Sequence, residues 1–131
     1  MRPTRIPTPD EVRALLARGS GANFAATSPA ATDPRLRPRV LPLPPTAATD
    51  RVAGAIAAIR GWRVVGKGDG VLQATRTTRF FRFVDDVSIL LEPAAGGTAL
   101  SVRSGSRVGR RDFGQNRRNL AELWQALGLS E

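Results

Sequence analysis

Nine of the ten prolines precede Thr46, and this asymmetry divides the chain. The prolines at 29, 34, 38, 42, 44 and 45 forbid a regular helix between Ser20 and Pro45, because each removes a backbone N–H and crowds the preceding turn. An extended segment tolerates proline only at a sheet edge. Val40-Leu41-Pro42-Leu43 therefore reads as a short edge strand or an apolar arm laid on the body. A disordered linker is the alternative, for which Val40, Leu41 and Leu43 are poor residues. The 131 residues fit one domain. Within it, 1–19 form a helical extension, 20–45 a proline-rich arm and 46–128 the core.

Periodicity supplies the elements. Thr8-Pro9-Asp10-Glu11 is a helix start, with Thr8 and Glu11 placed as a capping box and Pro9 at the first turn. Val12, Leu15 and Leu16 give a short apolar stripe that Gly19 ends. A second helix is expected over 46–60, capped by Thr46 or Thr49, with Val52, Ala55, Ile56 and Ile59 on one face. Strands follow over 62–66, 71–78, 80–91 and 98–104, and Lys67-Gly68-Asp69-Gly70 forms a hairpin turn. The GKGDG run lacks the spacing and following helix of a phosphate-binding loop. Leu120, Leu123, Trp124 and Leu127 fall at i, i+3, i+4 and i+7, which places a last helix at about 112–127 with Asp112 as its cap. Hairpin-linked strands beside helices predict a two-layer α+β domain. Its sheet is an antiparallel meander of four to five strands, with helices on one face and a long C-terminal helix.

The chain has no cysteine and no histidine. Disulfides, thiolate nucleophiles, His bases, Ser–His–Asp triads and Cys/His metal sites are therefore excluded, and neither a metal nor a cofactor is expected. No apolar run approaches a membrane span, and MRPTRIPTPDEV has no signal-like apolar region, so the expectation is a cytoplasmic protein. The net charge of +9 favours a polyanionic partner, whether nucleic acid, anionic lipid or a phosphorylated ligand. Lys67 is the sole lysine among 20 basic residues. Such arginine- and alanine-rich usage is also that of a GC-rich genome, which leaves open whether the charge is functional or compositional.

The specific signals gather between Thr75 and Asn119. If 80–91 is one strand, Phe81, Phe83, Asp85, Val87 and Ile89 share a face and Asp86 points the other way. A lone buried carboxylate is costly, so Asp85 needs a partner. Arg76, Arg79, Arg103 and Arg107 are the candidates. A structural ion-pair network of Asp85 and Asp86 is favoured over a metal site or a catalytic dyad, because adjacent strand residues diverge. Farther on, Arg103, Ser104, Ser106, Arg107 and Asn116 combine arginine forks and neutral donors at a strand–loop–helix junction, which suits a phosphate or carboxylate. The bland reading of the same loop is arginines bracing carbonyls, with Asp112 as a cap. Arg110, Arg111, Arg117 and Arg118 read as a solvated basic face, and no nucleic-acid-binding motif accompanies them.

These residues carry a resemblance. Phe83, Asp85 and Asp86, followed by Arg103, Ser104, Ser106, Arg107, Gly109, Asp112, Gly114 and Asn116, resemble the domain-of-unknown-function family 1499 of bacteria and plastids. Its pattern is Phe-x-Asp-Asp and then Arg-Ser-x-Ser-Arg-x-Gly-x-x-Asp-x-Gly-x-Asn. The family's earlier Asn-x-Val-Ser-Ser is similar to Asn23–Thr27, with Ala26-Thr27 in place of the serine pair. The resemblance spans about 20–128 and implies one domain, with no activity, substrate or cofactor attached.

The favoured function is thus a non-enzymatic domain that binds an anionic or polar ligand at the Arg/Ser/Gly loop. A basic interaction module for nucleic acid, anionic lipid or protein comes second. A small enzyme using Asp85 or Asp86 with Ser106 comes third.

Overall fold

The computed structural model describes residues 5–109 and 111–130. Arg110, expected on the basic face, lies outside the described residues. In chain order the elements are α1 (Pro9–Ala17), β1 (Phe24–Ala26), a 3-10 turn (Pro34–Leu36), β2 (Arg39–Leu41), α2 (Pro45–Ala58), β3 (Trp62–Gly68), β4 (Val71–Thr77), β5 (Val84–Ala94), β6 (Gly97–Ser106) and α3 (Gln115–Leu127). The strands form one six-stranded antiparallel sheet, an α+β domain with a slightly larger sheet than expected.

β3 to β6 are the meander read from the sequence. β4 pairs with β5 from Val71↔Leu90 to Thr77↔Val84, and β5 with β6 from Asp85↔Ser106 to Ala94↔Gly97. The proline-rich arm is packed. It returns twice to the outer edge of β6, first as β1 against Arg103–Gly105 and then as β2 against Thr98–Leu100. Three-residue strands on an edge spare the prolines any ladder hydrogen bond. The arm's exit is fitted closely to the β5–β6 turn. A Cβ on Gly97 (φ 146) would lie 1.9 Å from the Leu41 carbonyl oxygen, and Thr98 Oγ1 donates to the Leu43 carbonyl at 2.7 Å.

α1 begins as expected: Glu11 N donates to Thr8 Oγ1 at 3.2 Å and Thr8 N to Glu11 Oε1 at 3.1 Å. α2 does not use Thr46 or Thr49 as its cap. It starts at Pro45 behind Pro44, because two prolines preset the first turn, and Thr49 instead donates to the Pro45 carbonyl at 2.8 Å.

The two long helices cover one face of the sheet. Val52 and Ile56 of α2 meet Leu72, Val87, Ile89, Leu100 and Val102, with Leu120, Leu123, Trp124 and Leu127 of α3. The short α1 lies on the opposite face, where Val12 packs on the cross-strand pair Val71 and Leu90. Alternation along β5 separates the two clusters, Leu91 entering the large one and Leu90 the small one.

β5 starts at Val84 rather than Phe80, and this difference has the most consequence. Thr78 N donates to the Phe83 carbonyl at 2.8 Å, and Phe83 N donates to Thr78 Oγ1 at 2.8 Å. These bonds close a tight loop over Thr78–Phe83 and turn Phe81 and Phe83 out of the sheet. Both rings are exposed, in contrast to the core placement that parity implied.

Candidate functional site

The apolar layer between sheet and α3 becomes polar at one end. Asn116 and Asn119 continue the buried stripe of α3 backwards by the same i, i+3 spacing, and both are fully buried. Asn119 Nδ2 donates to Asp85 Oδ2 at 2.8 Å and to Ser104 Oγ at 3.0 Å. Ser104 Oγ donates onward to Asn116 Oδ1 at 2.7 Å. Asn116 Nδ2 then reaches Ser106 Oγ at 2.9 Å, the Asn23 carbonyl at 3.1 Å and Asp112 Oδ2 at 2.6 Å. One chain of donors thus ties β5, β6, the segment before β1 and α3 together. Asp112 closes it, because its carboxylate accepts the amides of Gly114 at 2.9 Å and Asn116 at 3.0 Å. The residue at the geometric cap position is Gly114, so Asp112 satisfies the free amides from two residues outside.

Asp85 is 1% exposed. Its donor is the Asn119 amide, and among the described residues none of the four candidate arginines forms an ion pair with it. Its cross-strand neighbour Arg76 turns instead to Glu122 of α3, with Nε 3.7 Å from Oε1. Trp62 Nε1 occupies that same carboxylate oxygen. Arg76 Nε is buried and makes no hydrogen bond.

The five residues expected to hold a ligand are divided by the sheet. Ser104, Ser106 and Asn116 belong to the α3 side. Arg103 and Arg107 belong to the α1 side. Arg107 is engaged by Asp86, with Nε at 3.0 Å and Nη2 at 2.9 Å from its oxygens, and this bond raises the Arg107 pKa. Arg103 lies over the Phe24 ring at 5.2 Å, and its Nε has no partner. Burial pushes its guanidinium below the usual arginine value; Arg18 adds to the shift and Asp86 opposes it. The glycine of the Arg-Ser-Gly-Ser segment allows this pose: a Cβ on Gly105 would lie 2.6 Å from Arg103 Nη1.

Beyond the donor chain a cavity of about 800 Å³ opens between the Thr78–Phe83 loop and the segment entering α3. Asp85, Ser106 and Arg76 lie on its inner side. Phe80, Phe81, Phe83, Val108 and Phe113 wall it, and Arg79, Arg111 and Arg118 stand at its edge. Phe81 and Phe83 stack with centroids 5.7 Å apart. Arg79 lies over Phe80 at 5.5 Å. Arg118 Nη1 donates to the Phe113 carbonyl at 3.0 Å, which braces the far wall.

Sequence reasoning missed Asn119 and the outward phenylalanines, and named Arg76 only as a partner for Asp85. Asn119 was within reach, since counting the α3 stripe back from Leu123 lands on it. Phe80 and Phe81 carried a signal too, because adjacent residues of a strand cannot both face one core.

The fold and this cavity define a class: a compact α+β domain in which a polar donor chain separates the core from an aromatic-walled, arginine-edged hollow. The chain belongs to the family described as "Protein of unknown function (DUF1499)", whose model matches residues 4–127. Among solved structures, protein CV1439 from Chromobacterium violaceum is 15% identical. That match covers 83% of this chain and 97% of the other, with a TM-score of 0.38. TTHA0849 from Thermus thermophilus is 12% identical, covering 69% of this chain and 90% of the other, with a TM-score of 0.35. No curated protein matches the chain.

Proposed function

We propose that this chain is a binding domain for a small amphipathic anion, received with its apolar body between the phenylalanines and its charge toward Arg76. The observation that carries the reading is Arg76 itself. Its buried Nε makes no hydrogen bond, because the nearest carboxylate oxygen, Glu122 Oε1, is 3.7 Å away and taken by Trp62; such a nitrogen is costly, and the guanidinium stands on the inner side of a hollow whose outer wall is aromatic. A ligand carboxylate or phosphate would supply the missing acceptor. The ring-lined wall with few polar groups inside is the composition of small-molecule sites in general. A binding role is favoured over catalysis because Asp85 and Ser106 are both engaged in the donor chain.

Thermal unfolding tests the proposal with four probes: hexyl phosphate, hexanoate, hexanol and inorganic phosphate. The two amphipathic anions should each raise Tm. At a hundredfold excess over Kd the stabilisation is about 2.7 kcal/mol, or roughly 10 °C for a domain of this size. Hexanol lacks the charge and inorganic phosphate the apolar body, so each should shift Tm far less. Arg76→Met should abolish the response. Equal shifts from all four probes, or an undiminished response in Arg76→Met, would refute the proposal.

A further inference from the structure

The outer edge of the cavity continues into a second hollow of about 680 Å³, which shares Arg76, Thr78 and Arg79 with the first. Arg60, Arg63, Arg79 and Arg82 surround it, and no carboxylate lines it. Among the described residues these four have neither a hydrogen-bonded nor an ion-paired side-chain partner. Elsewhere on the surface several arginines find acids, Arg5 meeting Glu11, Arg13 meeting Glu92 and Arg117 meeting Asp33, while among the described residues Arg18 and Arg51 stand without one, each apart from the other. Four arginines without an acid partner around one hollow make a dense positive patch beside the aromatic rim.

The rim is as unusual as the charge. Phe80, Phe81 and Phe113 are 82%, 77% and 83% exposed. Phe113 holds φ 50 and Arg82 φ 56. A bulky side chain in left-handed backbone is disfavoured, and glycine or asparagine would serve the turn with less strain. Neither folding nor solubility calls for phenylalanine there, and apolar groups rimmed by charge mark interaction surfaces.

We infer that this face seats on an anionic lipid bilayer, with Phe80, Phe81 and Phe113 entering the headgroup–acyl boundary and the unpaired arginines meeting lipid phosphates. Aromatic and basic side chains side by side suit that boundary. Nucleic acid fits less well. Base stacking is weakened where Arg79 covers one face of Phe80 and Phe83 one face of Phe81, and no nucleic-acid-binding motif accompanies the rim. Insertion into lipid needs only that the rings protrude. The inference goes beyond the ligand-binding reading and does not depend on it: the two share the phenylalanine wall, but docking draws on Arg60, Arg63, Arg79 and Arg82 outside it, whereas the ligand needs Arg76 within.

Flotation with vesicles of phosphatidylcholine, with and without phosphatidylglycerol, tests it. The full chain should float with the anionic vesicles, weakly with the neutral ones, and less as salt rises. Phe80→Ser with Phe81→Ser should lower partitioning at least about tenfold, and Arg60→Ser with Arg63→Ser about tenfold or more. All four side chains are surface groups, so unfolding midpoints should stay near wild type. Phe80→Trp supplies a direct readout, a blue-shifted emission on anionic vesicles. Equal binding to both vesicle types, wild-type binding by the rim variants, or binding to single-stranded DNA without vesicle binding would overturn the inference. Arg76→Met should float like wild type. If it loses vesicles together with hexyl phosphate, the two sites are one and the separate docking face falls. If hexyl phosphate fails while wild-type flotation persists, docking stands and the ligand reading alone is lost.

Discussion

Replacing Asn119 by alanine removes three hydrogen bonds from the junction of sheet and α3. The bond to Asp85 is charge-assisted and worth about 1.5–3 kcal/mol, and the buried bond to Ser104 about 1 kcal/mol. The bond from Gln115 Nε2, at 2.8 Å and partly exposed, adds about 0.5 kcal/mol. The variant also leaves a carboxylate that is 1% exposed without its donor. The expected loss is about 3–5 kcal/mol, a large part of the roughly 5–15 kcal/mol that holds a domain of this size. In urea, with a slope near 2 kcal/mol/M, the midpoint should fall by about 2 M. Trp124, buried farther along the same helix, reports the transition by fluorescence. The second half of the test is a rescue. Asp85→Val combined with Asn119→Leu removes the orphaned charge as well as its donor, so the pair should recover at least about 1 kcal/mol relative to Asn119→Ala. A loss below about 1 kcal/mol for Asn119→Ala, or no recovery in the double variant, would refute the argument that this bond satisfies the buried Asp85 carboxylate.

Further outcomes follow from particular contacts. Phe113→Gly relieves left-handed strain of about 1–2 kcal/mol against a similar loss of chain stiffness and residual burial. Its Tm should therefore stay within a few degrees of wild type, while binding of hexyl phosphate and anionic vesicles weakens. Gly97→Ala drives a Cβ into the Leu41 carbonyl and should cost at least about 3 kcal/mol, with amide exchange at β2 accelerating before the rest of the sheet. Asp33 bonds Arg35 first, then the Arg35 amide and Arg117, which holds its carboxyl well below the usual range. A depressed folded pKa gives stability that is present above the unfolded value near 3.9 and lost as pH falls through the folded one. Asp33→Asn should therefore cost about 1 kcal/mol at pH 7, a figure limited by solvent screening. The two proteins should converge in denaturation profiles run at strongly acid pH.

Elements built from a long periodic pattern were legible in the sequence. The α3 stripe, the β3–β4 turn and the β5–β6 hairpin follow from spacing alone, and part of the family motif, Asp85, Ser104, Ser106, Asp112 and Asn116, lies where it anchors the sheet to α3. The arm was legible as packed but not in its route, since nothing local tells a three-residue strand which edge it will join. Phe80 to Phe83 misled because alternation is only a local signal, and the chain turns where Thr78 grips Phe83 at both backbone groups. The candidate site suffered from a related limit. Arg103 and Ser104 are neighbours in sequence but lie on opposite sides of the sheet, so a motif that reads as one cluster serves two surfaces. Parity along β6 could have separated them. That Arg76 Nε would lack a hydrogen bond depends on Trp62 and Glu122, from elements far apart in the chain.

The donor chain has a consequence for how α3 can move. Ser104 and Ser106 repeat along β6 at about 6.8 Å, two strand steps. Asn116 and Asn119 repeat along α3 at about 4.5 Å, three helical steps. The two rulers coincide at one alignment, so sliding α3 by a residue or a turn cannot regenerate the bonds as it could between purely apolar surfaces. The core holds α3 against the sheet, and the asparagines set where along the sheet it stops. Through Asp112 that stop also fixes where Phe113 stands, and with it the width of the hollow facing Phe80 and Phe81.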